Sequence, residues 1–112
     1  MLPKNNRINS SIIFKEILKR GQKKEHQYFK IVFLRNNKKK SRFAVIVSSK
    51  IYQLAVKRNL IKRRLKNILR ELIFFLPAGF DVLIFVKRDC LDLSFQNLKS
   101  QLKEFLMEIL QN

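Results

Sequence analysis

This sequence predicts an α+β fold: a two-layer sandwich with helices packed on a mostly antiparallel sheet, in the order helix–strand–strand–helix–strand–helix. Two observations predict it. Segments whose apolar residues recur at helical spacing alternate with short runs that are apolar almost throughout. A 46% hydrophobic content, with ten Phe, supplies a core for both layers. The length of 112 residues fits one domain, 1–112, with no room for a second.

Only two Gly and two Pro punctuate the chain, so its breaks are readily placed. Residues 1–8 read as an extended leader in which Pro3 discourages an early helix and Lys4 and Arg7 have little around them to bury. From the capping run Asn9-Ser10-Ser11, a helix is predicted to Arg20, with Ile13, Ile17 and Leu18 on one side and Gly21 as its C-terminal cap. Tyr28 to Arg35 alternates as a strand. After the charged turn Asn36–Lys40, Phe43 to Val47 reads as a strand covered on both faces. The longest helix is predicted over Ala55–Leu76, since Ile61, Leu65, Ile68, Leu69, Leu72 and Leu76 fall in one sector of about 100°. Pro77 and Gly79 end it. Phe80–Val86 is the third strand, and a last helix runs from Asp92 or Ser94 to Leu110.

Twenty-five Lys and Arg against eight Asp and Glu give a formal charge of +17. Such an excess on so small a globule points to a polyanionic partner. One Cys excludes an internal disulfide, and Cys90 with the single His26 cannot complete a zinc site. No apolar run reaches the ~18 residues of a membrane span, and the first residues lack a signal-peptide apolar stretch, so a cytoplasmic protein is expected. His26 reads as ordinary surface, Asp89 and Asp92 as a loop and a helix cap rather than a metal pair, and Cys90 as a small semi-buried residue.

The most informative stretch is Lys57–Lys66, with six basic residues and no acidic one. On the helical wheel Asn59, Lys62, Arg63, Lys66 and Arg70 share a sector of about 100°, opposite the Ile61/Leu65 face. Like charges at i,i+3 and i,i+4 cost an isolated helix a few tenths of a kcal/mol each (roughly). A face that accumulates this cost is explained by an anionic ligand.

At this point the sequence resembles the bacterial ribonuclease P protein family. That family's Arg-Asn-x-x-Lys-Arg signature is present as Arg58-Asn59-Leu60-Ile61-Lys62-Arg63. Leu2–Ile8 resembles its N-terminal Leu-x-Lys-x-x-Arg-Leu, and Phe14–Leu18 with Gly21 its first helix. Arg42–Lys50 matches its central strand, although Ala44 stands where the family has Gly. Pro77–Asp81, followed by an apolar strand ending in Lys87-Arg88, completes a match over essentially the whole chain.

The resemblance implies a ribosomal protein S5 domain 2-like fold. It also implies a role as the small subunit of an endoribonuclease that removes the 5′ leader from precursor tRNA, with the catalytic centre and its Mg²⁺ in the RNA subunit. Arg58, Asn59, Lys62, Arg63, Arg64, Lys66 and Arg70 would then meet the ribonuclease P RNA. Phe14, Leu18, Lys30 and Val32, with Lys50 at the rim, would line a cleft between the first helix and the sheet that receives the single-stranded leader. Neither a membrane nor DNA is expected as a partner. An aromatic there could stack a base of any identity, worth ~1–3 kcal/mol; Phe14 could equally be core. The alternative is a non-enzymatic RNA-binding protein of ribosomal type, with the same charge logic but no leader cleft. A membrane-active basic helix is disfavoured, because its apolar face is needed to cover the sheet.

Overall fold

The structure, a computed structural model, describes residues 2–111; Met1 and Asn112, the ends of the expected domain, lie outside it. After a 3₁₀ turn at Lys4–Asn6 come α1 (Ser11–Arg20), β1 (Gln22–Glu25), β2 (Phe29–Arg35), β3 (Arg42–Ile46), α2 (Ala55–Leu72), β4 (Phe80–Val86) and α3 (Phe95–Ile109). The strands form one sheet in the order β1-β2-β4-β3. β2 runs antiparallel to both neighbours, and β3 pairs in parallel with β4.

Because side chains alternate along a strand, the register divides the sheet into two faces. Phe29, Ile31 and Phe33 of β2, Val82, Ile84 and Val86 of β4, and Phe43 and Val45 of β3 point the same way. They are buried in one cluster with Ile61, Leu65, Ile68, Leu69 and Leu72 of α2 and Leu98, Leu102 and Leu106 of α3. The opposite face holds three rows: Lys30–Phe85–Ile46, Val32–Leu83–Ala44 and Leu34–Asp81–Arg42. There α1 seals the middle row, with Ile17, Val32 and Leu83 buried and Ile8, Ile13, Phe14, Ala44, Ile46 and Phe85 packed around them. The helices are thus shared between the two faces of the sheet.

Helix starts follow capping chemistry. Ser10 Oγ accepts the Ile13 N–H, and Ser94 Oγ accepts the Asn97 N–H. Gly21 caps α1 with an ordinary extended φ of −72°. Its need for glycine is steric, since a Cβ there would stand 2.5 Å from the Ile17 carbonyl oxygen and 2.9 Å from Val32 Cγ1.

Three expectations are corrected. β1 has no counterpart among the predicted strands: its residues are all exposed and carry no apolar alternation. The element order therefore gains a strand between the first helix and Phe29. The leader is not loose. Leu2 and Asn6 are buried, the Asn6 amide donates to the Ser41 carbonyl at 2.8 Å, and Arg7 bridges to Phe43 in parallel. α2 stops at Leu72, and Ile73–Leu76 turns so that Leu76 re-enters the core while Phe74 and Phe75 face solvent.

Candidate nucleic-acid interface

α2 buries Ile61, Leu65, Ile68, Leu69 and Leu72, so its basic positions face outward. Asn59, Lys62, Arg63 and Lys66 line one open depression of about 360 Å³, together with Asn67, which the sequence-predicted set omits. Asn67 lies only about 80° from Asn59 on the helical wheel, and that angle is the signal that could have found it. Arg70 is exposed one turn later. No acidic side chain occupies the first turn, whose Lys57 and Arg58 sit at the positive end of the helix dipole. An incoming anion would relieve that arrangement.

Arg58 and Arg64 are placed differently from the rest. The Arg58 guanidinium donates to the carbonyls of Tyr52 (2.8 Å) and Gln53 (2.9 Å), fastening the incoming loop where α2 has no side-chain cap. Arg64 reaches the Leu91 carbonyl at 3.3 Å. Both therefore carry intramolecular contacts beside any they make to RNA.

On the α1 face, Phe14 and Phe85 meet edge-to-face with centroids 6.5 Å apart, and Lys30 Nζ lies 5.7 Å above the Phe85 ring. All three are half-buried, and Leu18 is exposed beside them on α1. Two aromatic rings thus stand beside a cation, a combination suited to a base and its phosphate. Phe85 and Ile46 lie on the same surface and are absent from the sequence-predicted set, because only the β2–β4–β3 register reveals that they share a row with Lys30. Val32 corrects the expected set: it is fully buried beneath α1 and shapes the floor without reaching the surface. Lys50 is exposed in the turn after β3, at the end of the sheet that carries this row.

Asp89 Oδ1 accepts the Tyr52 hydroxyl at 2.9 Å and the Leu91 N–H at 3.0 Å. The Leu91 amide, then the Tyr52 hydroxyl, holds this carboxyl below its usual pKa. The Tyr52 oxygen in turn accepts the Cys90 N–H at 2.8 Å, and burial pushes both the Tyr52 and Cys90 side chains to higher pKa. Cys90 is completely buried rather than half-buried. No three His, Cys, Asp or Glu among the described residues come together as a metal site. His26 is likewise no plain surface residue: its ring lies 4.9 Å from Phe105 and 5.4 Å from Phe29, and its Nδ1 accepts the Tyr28 N–H at 3.1 Å.

The model of the Ribonuclease P family matches residues 2–110. The chain belongs to the ribonuclease P protein family. A ribonuclease P protein component from a Pseudanabaena species is 30% identical over 107 residues, covering 95% of this chain and 92% of that protein. One from Petrotoga mobilis is 33% identical over 107 residues, covering 95% and 89%. The solved ribonuclease P protein of Thermotoga maritima superposes with a TM-score of 0.84 at 26% identity, covering 92% of this chain and 96% of that one. The four-stranded sheet with three helices is thus the fold of the ribonuclease P proteins. No helix among the described residues is long and apolar enough to cross a membrane.

Proposed function

We propose that this chain is the protein subunit of a cytoplasmic ribonuclease P ribonucleoprotein that removes the 5′ leader from precursor tRNA. It binds the ribonuclease P RNA through Asn59, Lys62, Arg63 and Lys66 on α2, supported by Arg58, Arg64 and Arg70. It holds the single-stranded leader between α1 and the sheet, at Phe14, Leu18, Lys30 and Phe85, with Lys50 at the rim. Catalysis and the Mg²⁺ it needs belong to the RNA, and this chain's part is to neutralise crowded phosphates and to position the leader. DNA is not a partner in this reading.

The observation that supports the reading beyond family membership is the half-buried Phe14–Phe85 ring pair with Lys30 over the Phe85 ring. With Lys30 over the Phe85 ring, the half-buried Phe14 ring can offer a face to a base of any identity while the lysine meets its phosphate. A purely structural RNA-binding protein needs the α2 face but not this. Reconstitution with a transcribed ribonuclease P RNA tests it: at low Mg²⁺ the protein should accelerate 5′ cleavage of precursor tRNA, and the protein alone should not cleave. RNA-alone rates unchanged by the protein would overturn the proposal.

A further inference from the structure

We infer that a second basic surface, at the far end of the α1 face from the leader cleft, grips the phosphates of a base-paired segment of the RNA subunit. The inference rests on the proposed partnership with that RNA and adds a binding surface to it. Lys4, Arg7, Lys38, Lys39, Lys40 and Arg42 line one open concavity of about 550 Å³, and no acidic residue lines it with them. Arg42 is neutralised by Asp81, which it grips with Nε and Nη2 at 2.8 and 2.7 Å. None of the other five cations is in a salt bridge among the described residues. Five uncompensated charges around one hollow repel one another, and an anion placed among them removes that cost.

Two further features indicate a built site. The Arg7 Nε–H is buried with no hydrogen-bond partner, a donor that the fold leaves unmet. The lysine loop is also held in shape. Asn36 donates to Asp81 Oδ1 at 2.9 Å and to the Lys40 carbonyl at 3.1 Å, and its own Oδ1 accepts the Lys38 N–H at 2.8 Å. Asn37 takes the left-handed conformation, φ 58°, that such a turn requires. The three ammonium groups are displayed from an ordered turn, so no backbone ordering is needed when they meet phosphates.

The kind of RNA follows from what is missing here and present in the cleft. No aromatic ring lines the concavity. A single strand offers bases to stack, whereas a double helix turns its bases inward and presents phosphates. The sealed Val32–Leu83 row separates the two surfaces, so the concavity is not a continuation of the leader track. It lies instead at the end of the sheet where α2 finishes: Ile73 and Phe74 line an apolar hollow that shares Lys39 and Lys40 with it. An RNA lying along α2, about 27 Å long, reaches this end.

The test compares wild type with Lys38→Ala/Lys39→Ala/Lys40→Ala, whose side chains make none of the turn's hydrogen bonds, in binding to a transcribed ribonuclease P RNA across a salt series. The affinity should fall on the order of tenfold, and the salt slope should drop by about one for each phosphate no longer neutralised, two to three in all. Binding of a twelve-nucleotide single strand should change less than twofold. Unchanged RNA-subunit affinity and slope would overturn the inference. So would an equal loss on the single strand, or a comparable loss from Phe74→Ala, either of which would make this a stacking site. A loss seen only with mature tRNA would assign the surface to substrate instead and overturn it too. Lys62→Ala/Arg63→Ala is run alongside: if it is silent while the loop variant is not, the α2 assignment fails and this inference stands.

Discussion

Phe14 meets Phe85 edge-to-face and is only half-buried, so its contribution can be divided experimentally. Phe14→Leu keeps apolar volume over Ile17 and Val32 but removes the stacking plane. In the reconstituted holoenzyme it should weaken precursor tRNA by roughly 5- to 150-fold, the worth of a ~1–3 kcal/mol stack, and leave mature tRNA almost untouched. Equal weakening of precursor and product, measured by competition binding, would reduce Phe14 to core. His26 gives a separate, pH-dependent signature. Burial among aromatic rings, and secondarily the Lys87 charge, hold its pKa below the ordinary 6.5. As pH falls from 7 through that value, the unfolded chain takes up the proton first, so the folded state loses stability. Protonation also ends the acceptance of the Tyr28 N–H. Urea denaturation at pH 7 and pH 5.5 should therefore show a loss of stability that shrinks in His26→Gln. Parallel pH profiles for the two proteins would exclude His26 as the source.

Among elements, the packing of α1 on the sheet depends on Gly21, which lets the helix end against β2. Gly21→Ala places a methyl within 3 Å of two carbonyl oxygens and of Val32, and should cost about 1–3 kcal/mol in chemical denaturation. Wild-type stability would mean that the α1–β2 junction has slack which the geometry denies. α2 divides its arginines. Arg58→Ala removes donors from the Tyr52 and Gln53 carbonyls and should lower both stability, by about 1–2 kcal/mol, and RNA affinity. Lys62→Ala/Arg63→Ala should lower RNA affinity alone, with thermal melts near wild type. Similar melts for all these variants would show that Arg58 carries no structural load. The sequence shows α2 and its face because apolar positions at 3.6-residue spacing and a single-signed opposite face both leave marks in composition. It hides β1, since Gln22–Glu25 is held by backbone pairing to β2 and buries no side chain. It hides Phe85 as a cleft residue for a related reason: strand pairing decides which face an all-apolar strand shows to which helix. One acid in the apolar run Phe80–Val86 hints at the buried Arg42–Asp81 pair, but nothing in the sequence marks its partner, 39 positions away.

At the scale of the molecule, a charge of +17 is distributed over a fold with a buried core on one face of its sheet and a smaller one on the other. Anions that bind only the native form add stability by mass action. Sodium sulfate at low ionic strength should raise the melting temperature above that in sodium chloride of equal ionic strength, as followed by circular dichroism. Matching melting temperatures would mean that the native surface gathers anions no better than the unfolded chain. The sheet order has one further consequence, which concerns synthesis. β4 lies between β2 and β3 and is hydrogen-bonded to both, yet it is the last strand made. Until Val86 has left the ribosome, β2 and β3 have no common neighbour, and of the strand pairs only the β1–β2 hairpin can form. Of the basic residues, only Lys87, Arg88, Lys99 and Lys103 come after that strand. The nascent chain is therefore a strongly cationic polymer with its sheet incomplete, growing beside the ribosome's own RNA. It becomes a selective binder only when its penultimate element slides between two strands already made.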